Sequence, residues 1–155
     1  MDMNYEISFN DIYYTSALIE YIGRTTLNRR SVVAAAIGLE GIERLLKLAC
    51  VNHCLSFQQV ADEVIERYHI YKGNYDTVSN CKYNVPSFLP IGKVYARLAQ
   101  DVHENGTSYA ATLYKIFLSG IDEKISNFNA AFYFAPRGEI AYYYKADYMH
   151  HDAQN

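Results

Sequence analysis

Apolar residues recur at intervals of three and four along almost the whole chain, and this regularity excludes most folds. In the stretch from Ser56 to Tyr68, Phe57, Val60, Val64, Ile65 and Tyr68 share one side of a helix, while Asp62, Glu63 and Glu66 take the other. A period near 3.6 cannot put one face of a pleated strand into a core. The start of this segment is also marked: Ser56 followed three residues later by Gln59 has the form of a capping box. The chain is therefore predicted to be all-α, a single-domain bundle of six or seven helices over 1–155, with flexible termini at 1–9 and 149–155.

The other helices follow from the same pattern. The first is predicted from about Asn10 to Ile22, carrying Ile12, Leu18, Ile19 and Ile22 and ending at Gly23. A second runs from Arg29 to Ile37, capped by Asn28 or Thr26 and stopped by Gly38; a third covers Leu39 to Val51. After the Ser56 helix comes a long loop near 71–90, with Gly73, Pro86 and Pro90. Loops of that length in compact domains are uncommon and are often functional. Pro90 suits the first turn of a fifth helix that stops at Asn105-Gly106. A sixth helix, capped by Thr107 or Ser108, reaches Phe128. The 129–148 segment suits either a last helix or a strand, and the helix is preferred.

Half of the 155 residues are hydrophobic, enough for a sizeable core without disulfide staples. No apolar run approaches the roughly 20 residues of a membrane span. Three cysteines, an odd number, suit a reducing compartment better than a disulfide framework, so a cytoplasmic location is expected. The net charge is −3, so nucleic-acid binding would require the cations to gather on one face. The chain has 16 tyrosines and no tryptophan. Tyrosine joins a large apolar body to a polar tip and suits half-buried faces and protein interfaces.

Three arginines, Arg24, Arg29 and Arg30, precede the alanine-rich run of the second predicted helix. One reading makes residues 31–49 a helix-turn-helix DNA reader turning at Gly38. That places Val33, Ala34, Ile37 and Leu39 in the core, but it also puts Arg44 and Lys47 where buried residues belong. A second reading pairs the arginines with Asp11 and Glu20 in a structural role. A third makes Arg24, Arg29 and Arg30 a partner-binding edge for an acidic protein surface. The partner-binding edge ranks ahead of DNA binding.

Two constellations suggest chemistry. Cys50, His53 and Cys54 share a helix face, and with Cys81 they would supply the four ligands of a structural zinc site. Such sites usually use two close pairs, and here the fourth ligand is single and distant, so no metal or other cofactor is assigned. Arg97 and His103 in "RLAQDVH" resemble the arginine–histidine motif of the helical HEPN ribonucleases, in which the pair would polarise a phosphate and relay a proton. At a spacing of six they share no helix face unless the helix ends between them. No phosphate loop, nucleophile elbow or metalloprotease motif occurs in the chain.

The stretch "SALIEYIGRTTLNRRSVVAAAIGLEGIERLLKLACVNHC", together with "VADEVIERYHI" and "VPSFLPIGKVYARL", resembles an uncharacterised family of small bacterial helical proteins. Its genes lie near those of ADP-ribosyltransferase-like proteins and very short partner proteins. The resemblance covers residues 12 to 125 and implies a toxin–antitoxin or accessory role, without functional residues to carry over. Together these readings predict a non-enzymatic protein-interaction module, possible as a homo-oligomer. The alternatives are a ribonuclease using Arg97 and His103 or a DNA-binding regulator through residues 31–49.

Overall fold

A computed structural model describes residues 6–149, and among these the chain forms seven α-helices and one short 3-10 turn, with no strand. The first helix, α1 (Phe9–Thr26), is the central rod. Ser8 caps it, accepting from the Asp11 amide while the Asp11 carboxylate accepts from the Ser8 amide. Ile12, Leu18, Ile19 and Ile22 are all but fully buried along it. Gly23 does not end this helix, as the sequence suggested. The helix runs one turn further, and Leu27, in the left-handed region at φ 56°, makes the stop by donating its amide to the Gly23 carbonyl. Of the termini predicted to be flexible, 1–5 and 150–155 lie outside the described residues, while Phe9 opens α1.

The second and third predicted helices meet end to end at Gly38. Its φ of 77° and ψ of 169° are not helical and break the helix where the sequence placed a stop. The two halves together are α2 (Arg30–Asn52). No loop separates the two halves. Next come α3 (Phe57–Arg67), with the predicted Ser56–Gln59 capping box formed, and the irregular segment 70–87. Then α4 (Phe88–Val102) carries Pro90 in its first turn and stops before the Asn105-Gly106 pair. The sixth predicted helix is divided at Ser119–Gly120 into α5 (Tyr109–Leu118) and α6 (Ile121–Ser126). The 129–148 segment is helical: a 3-10 turn at Phe132–Phe134, then α7 (Arg137–Asp147), which starts directly after Pro136.

The bundle is held mainly by α1 lying along α4 and α2, with α2 also against α5 and α7 against α4. Gly92 on α4 makes the tightest of these approaches. A β-carbon there would stand 2.7 Å from backbone atoms of Ala17, so only glycine lets the two helices come so close. The ring of Tyr95 stacks on Phe117 at 4.4 Å between α4 and α5, at the centre of the core. No helix among the described residues is long and apolar enough to cross a membrane.

Candidate functional site

The connection between α1 and α2 turns sharply at Leu27, so Arg24, Arg29 and Arg30 point to three different places. Arg30 points inward. Only 4% exposed, it is surrounded by Glu20 of α1, Tyr95 of α4, and Asp122 and Ser126 of α6. Its Nε donates to Asp122 Oδ1 at 2.7 Å and to the Tyr95 hydroxyl at 3.0 Å. Its Nη1 donates to Glu20, and its Nη2 donates to the Ser126 hydroxyl and the Asp122 carbonyl. The Tyr95 hydroxyl in turn donates to Asp122 Oδ1. Glu20 is shared, its second oxygen accepting from Arg24 Nε at 2.7 Å, while Arg24 Nη2 reaches the Pro86 carbonyl at 2.6 Å.

One buried guanidinium, Arg30, and one half-buried one, Arg24, thus face two buried carboxylates. Taking charges out of water is costly unless each is paired and its remaining donors and acceptors are satisfied. Here every nitrogen of the Arg30 side chain has an acceptor. Burial pushes the Arg30 pKa down, but Tyr95, Glu20 and Asp122 outweigh it and hold the guanidinium well above its ordinary value. Tyr95 is driven well above the usual phenol range, first by burial and further by Asp122, against the pull of Arg30. The knot ties α1, α2, α4 and α6 together.

Over it lies a cleft of about 270 Å3, lined by Glu20, Arg24, Asn28, Tyr75, Asp76 and Ser79 among others. Asp76 braces the outer wall, accepting from the amides of Val78 at 3.0 Å and Ser79 at 2.9 Å, and the Ser79 bond lowers its pKa. Arg29 stays outside, 2.6 Å from Glu123 and over the ring of Tyr75 at 4.7 Å. Of the proposed partner-binding edge, Arg30 is therefore out of reach of any partner, and Arg24 and Arg29 each face a carboxylate. The arginines are matched by Glu20, Asp122 and Glu123; Asp11 caps α1 instead.

Arg97 and His103 are not brought together. The His103 ring lies beyond the end of α4, stacked on Tyr109 at 3.9 Å, with Nε2 2.6 Å from the Thr107 carbonyl. Arg97 faces a groove of about 250 Å3 between α4 and the strip from Tyr133 to Ile140. That groove holds three cations, Lys93, Arg97 and Arg137, and no carboxylate lines it. Arg137 is bound to Asp101 at 2.7 Å and to Gln100, which pins α7 to α4. The side chains of Lys93 and Arg97 form no hydrogen bond or ion pair among the described residues. Beside them Phe134 stands 82% exposed.

Cys50, His53 and Cys54 are exposed at the end of α2, and Cys81 is half-buried against the core from the 70–87 segment. No three His, Cys, Asp or Glu side chains gather as a metal site among the described residues. In the 31–49 segment Val33, Ala34 and Ile37 are buried, but Leu39 is 44% exposed. Arg44 lies 3.5 Å from Glu63 and Lys47 lies 3.1 Å from Glu43, which neutralises much of the positive charge of that surface.

Comparison with family models, curated proteins and solved structures finds no match to this chain.

Sequence reasoning missed Asp122, Tyr95 and Ser126. Asp122 sits between Ile121 and Ile125 in a stretch read as core, and a carboxylate in such a place signals a buried counter-ion. Tyr95 occupies the apolar stripe of α4 and gave no polar signal of its own.

Proposed function

We propose that this chain is a non-enzymatic protein-interaction module whose docking face is built around the 3-10 turn and α7. The observation that carries the reading is Phe134, a ring left 82% in water at the rim of a basic groove, with Tyr142 on α7 69% exposed. Large rings ordinarily contribute most when desolvated, and aromatic residues with arginine are the side chains that dominate interface energetics. The interior supports the same reading from the other side, because the charged groups of the Arg30 knot are paired with one another and tie helices together. An antitoxin-like or accessory role is the form of this reading that the family resemblance adds.

The test is recovery of the full chain from cells that express it natively, after brief chemical cross-linking. A stoichiometric protein partner, reduced by Phe134→Ser, is the expected result. Recovery of the chain alone overturns the proposal. So does RNA cleavage by the purified chain that His103→Ala abolishes.

A further inference from the structure

The groove between α4 and the Tyr133–Ile140 strip differs in charge from the chain as a whole. The protein carries a net −3, yet Lys93, Arg97 and Arg137 are the charged residues lining this groove. Arg137 is held by Asp101, which leaves Lys93 and Arg97 for an incoming anion. They stand one turn apart on α4 with an apolar bed between and beside them: Val94, Leu98, Ile140 and the Phe134 ring. Cations at that spacing over an apolar bed require an occupant that is acidic and apolar together.

We propose that this groove receives an extended acidic peptide segment of a protein partner. An apolar side chain seats against Val94 and Phe134, and two carboxylates engage Lys93 and Arg97. The spacing supports an extended form. One helical turn advances about 5.4 Å, and residues two apart on a strand, which share a face, are separated by about 6.6 Å. Acidic residues at alternate positions therefore meet two cations at i and i+4. The Arg97 guanidinium offers the two-pronged geometry that grips a carboxylate, and its site beside aromatic rings raises the worth of that contact by excluding water. A single-stranded nucleic acid is disfavoured by the same observations. Its affinity is largely Coulombic, and two unpaired cations on a net-negative chain supply too few phosphate contacts. The inference rests on the protein-binding role proposed above and adds the site and the class of partner.

The experiment selects peptides from a random phage-displayed library on the immobilised full chain, then measures the enriched sequences as fluorescein-labelled peptides by anisotropy. Peptides with Asp or Glu at alternate positions and an apolar residue two positions beyond, on the same face of the strand, are expected to be enriched. Their affinity should fall at least tenfold with Arg97→Glu and with Phe134→Ser. Replacing the peptide's acidic residue by Lys should restore binding to Arg97→Glu. Both substitutions are at solvent-accessible positions, and unchanged circular dichroism certifies their folds; if Arg97→Glu fails that check, Arg97→Gln is measured instead. Enriched peptides without acidic bias overturn the inference, as does binding unaffected by either substitution. Displacement of the peptides by oligodeoxythymidine at lower concentration also overturns it, as does self-association of the chain that alone accounts for occupancy of the groove. A native partner retained in full by Arg97→Glu sinks this site and leaves the general binding role standing; absence of any partner sinks that role itself.

Discussion

Two neighbouring arginines show how position rather than residue type sets an energetic role. Arg29 and Arg30 are adjacent in sequence and both face a carboxylate, yet their side chains are 43% and 4% exposed. An exposed pair in water is worth about 0–1 kcal/mol, because solvent and salt screen it. A buried one is different: removing a single partner strands the remaining charges in a medium that cannot solvate them, at about 3–5 kcal/mol. Arg30→Met should therefore destabilise the chain by about that amount, since it leaves Asp122 buried without a counter-charge and Glu20 with Arg24 alone. Arg29→Ala should change stability by less than about 1 kcal/mol. Urea unfolding followed by circular dichroism reads both. Equal effects would mean that the knot does not carry the load its burial implies. Adding Glu20→Gln and Asp122→Asn to Arg30→Met should recover part of the loss, because it removes the stranded charges. Of this cluster the sequence made one pairing legible, Glu20 with the arginines. Asp122 and Ser126 stayed hidden because they approach Arg30 from more than 90 residues away, a distance periodicity cannot bridge.

At the scale of elements the glycines separate close packing from propensity. Gly92 lets α4 lie against Ala17 of α1, in the interface that contributes most to the bundle. A methyl group there must push two backbones apart, and overpacking of this kind costs about 1–3 kcal/mol. Gly138, in the first turn of α7, has open space around its β position and a helical backbone. Gly138→Ala should raise stability by up to about 1 kcal/mol, and Gly92→Ala should lower it, as compared in one thermal unfolding series. If Gly92→Ala is neutral, α1 and α4 do not meet as closely as described. Much of this level was legible beforehand: the Ser56 capping box, Pro90 in a first turn and the all-helical class each follow from local chemistry. The glycine boundaries divide. Gly23 reads as a stop but is buried inside α1, where the Asn28 carbonyl comes to 3.0 Å of its β position and favours a residue without a side chain. Gly38 reads as a stop and does break the helical path, with φ 77° and ψ 169°, although the next helix follows without a loop.

For the molecule as a whole, the unresolved feature of the sequence was the long loop, which reads only as a break in periodicity. Its structure is set by contacts that the sequence does not announce. The Gly73 amide donates to the Thr26 carbonyl and the Tyr75 amide to the Leu27 carbonyl, both at 2.8 Å, while Asn28 Nδ2 donates to the Tyr71 carbonyl at 2.7 Å. The segment is thus fastened to the α1–α2 connection and forms a wall of the cleft over the Arg30 knot. The basic groove was equally illegible, because Lys93 and Arg97 acquire meaning only when α7 brings Phe134 alongside α4. The fastening of the loop is local, involving few of the buried apolar side chains that hold the bundle, so it should open without global unfolding. Asn28→Ala removes one of the three bonds, worth about 1 kcal/mol net. Gly73→Ala is more severe, placing a β-carbon 2.5 Å from the Leu27 carbonyl oxygen. Both should accelerate hydrogen exchange at the Tyr75 amide, by roughly fivefold for Asn28→Ala, while exchange in α1 and α4 and the unfolding midpoint change little. Exchange that rises in α1 as steeply as in the loop would show instead that this wall and the central rod form one cooperative unit. The cleft would then open only when the bundle itself comes apart.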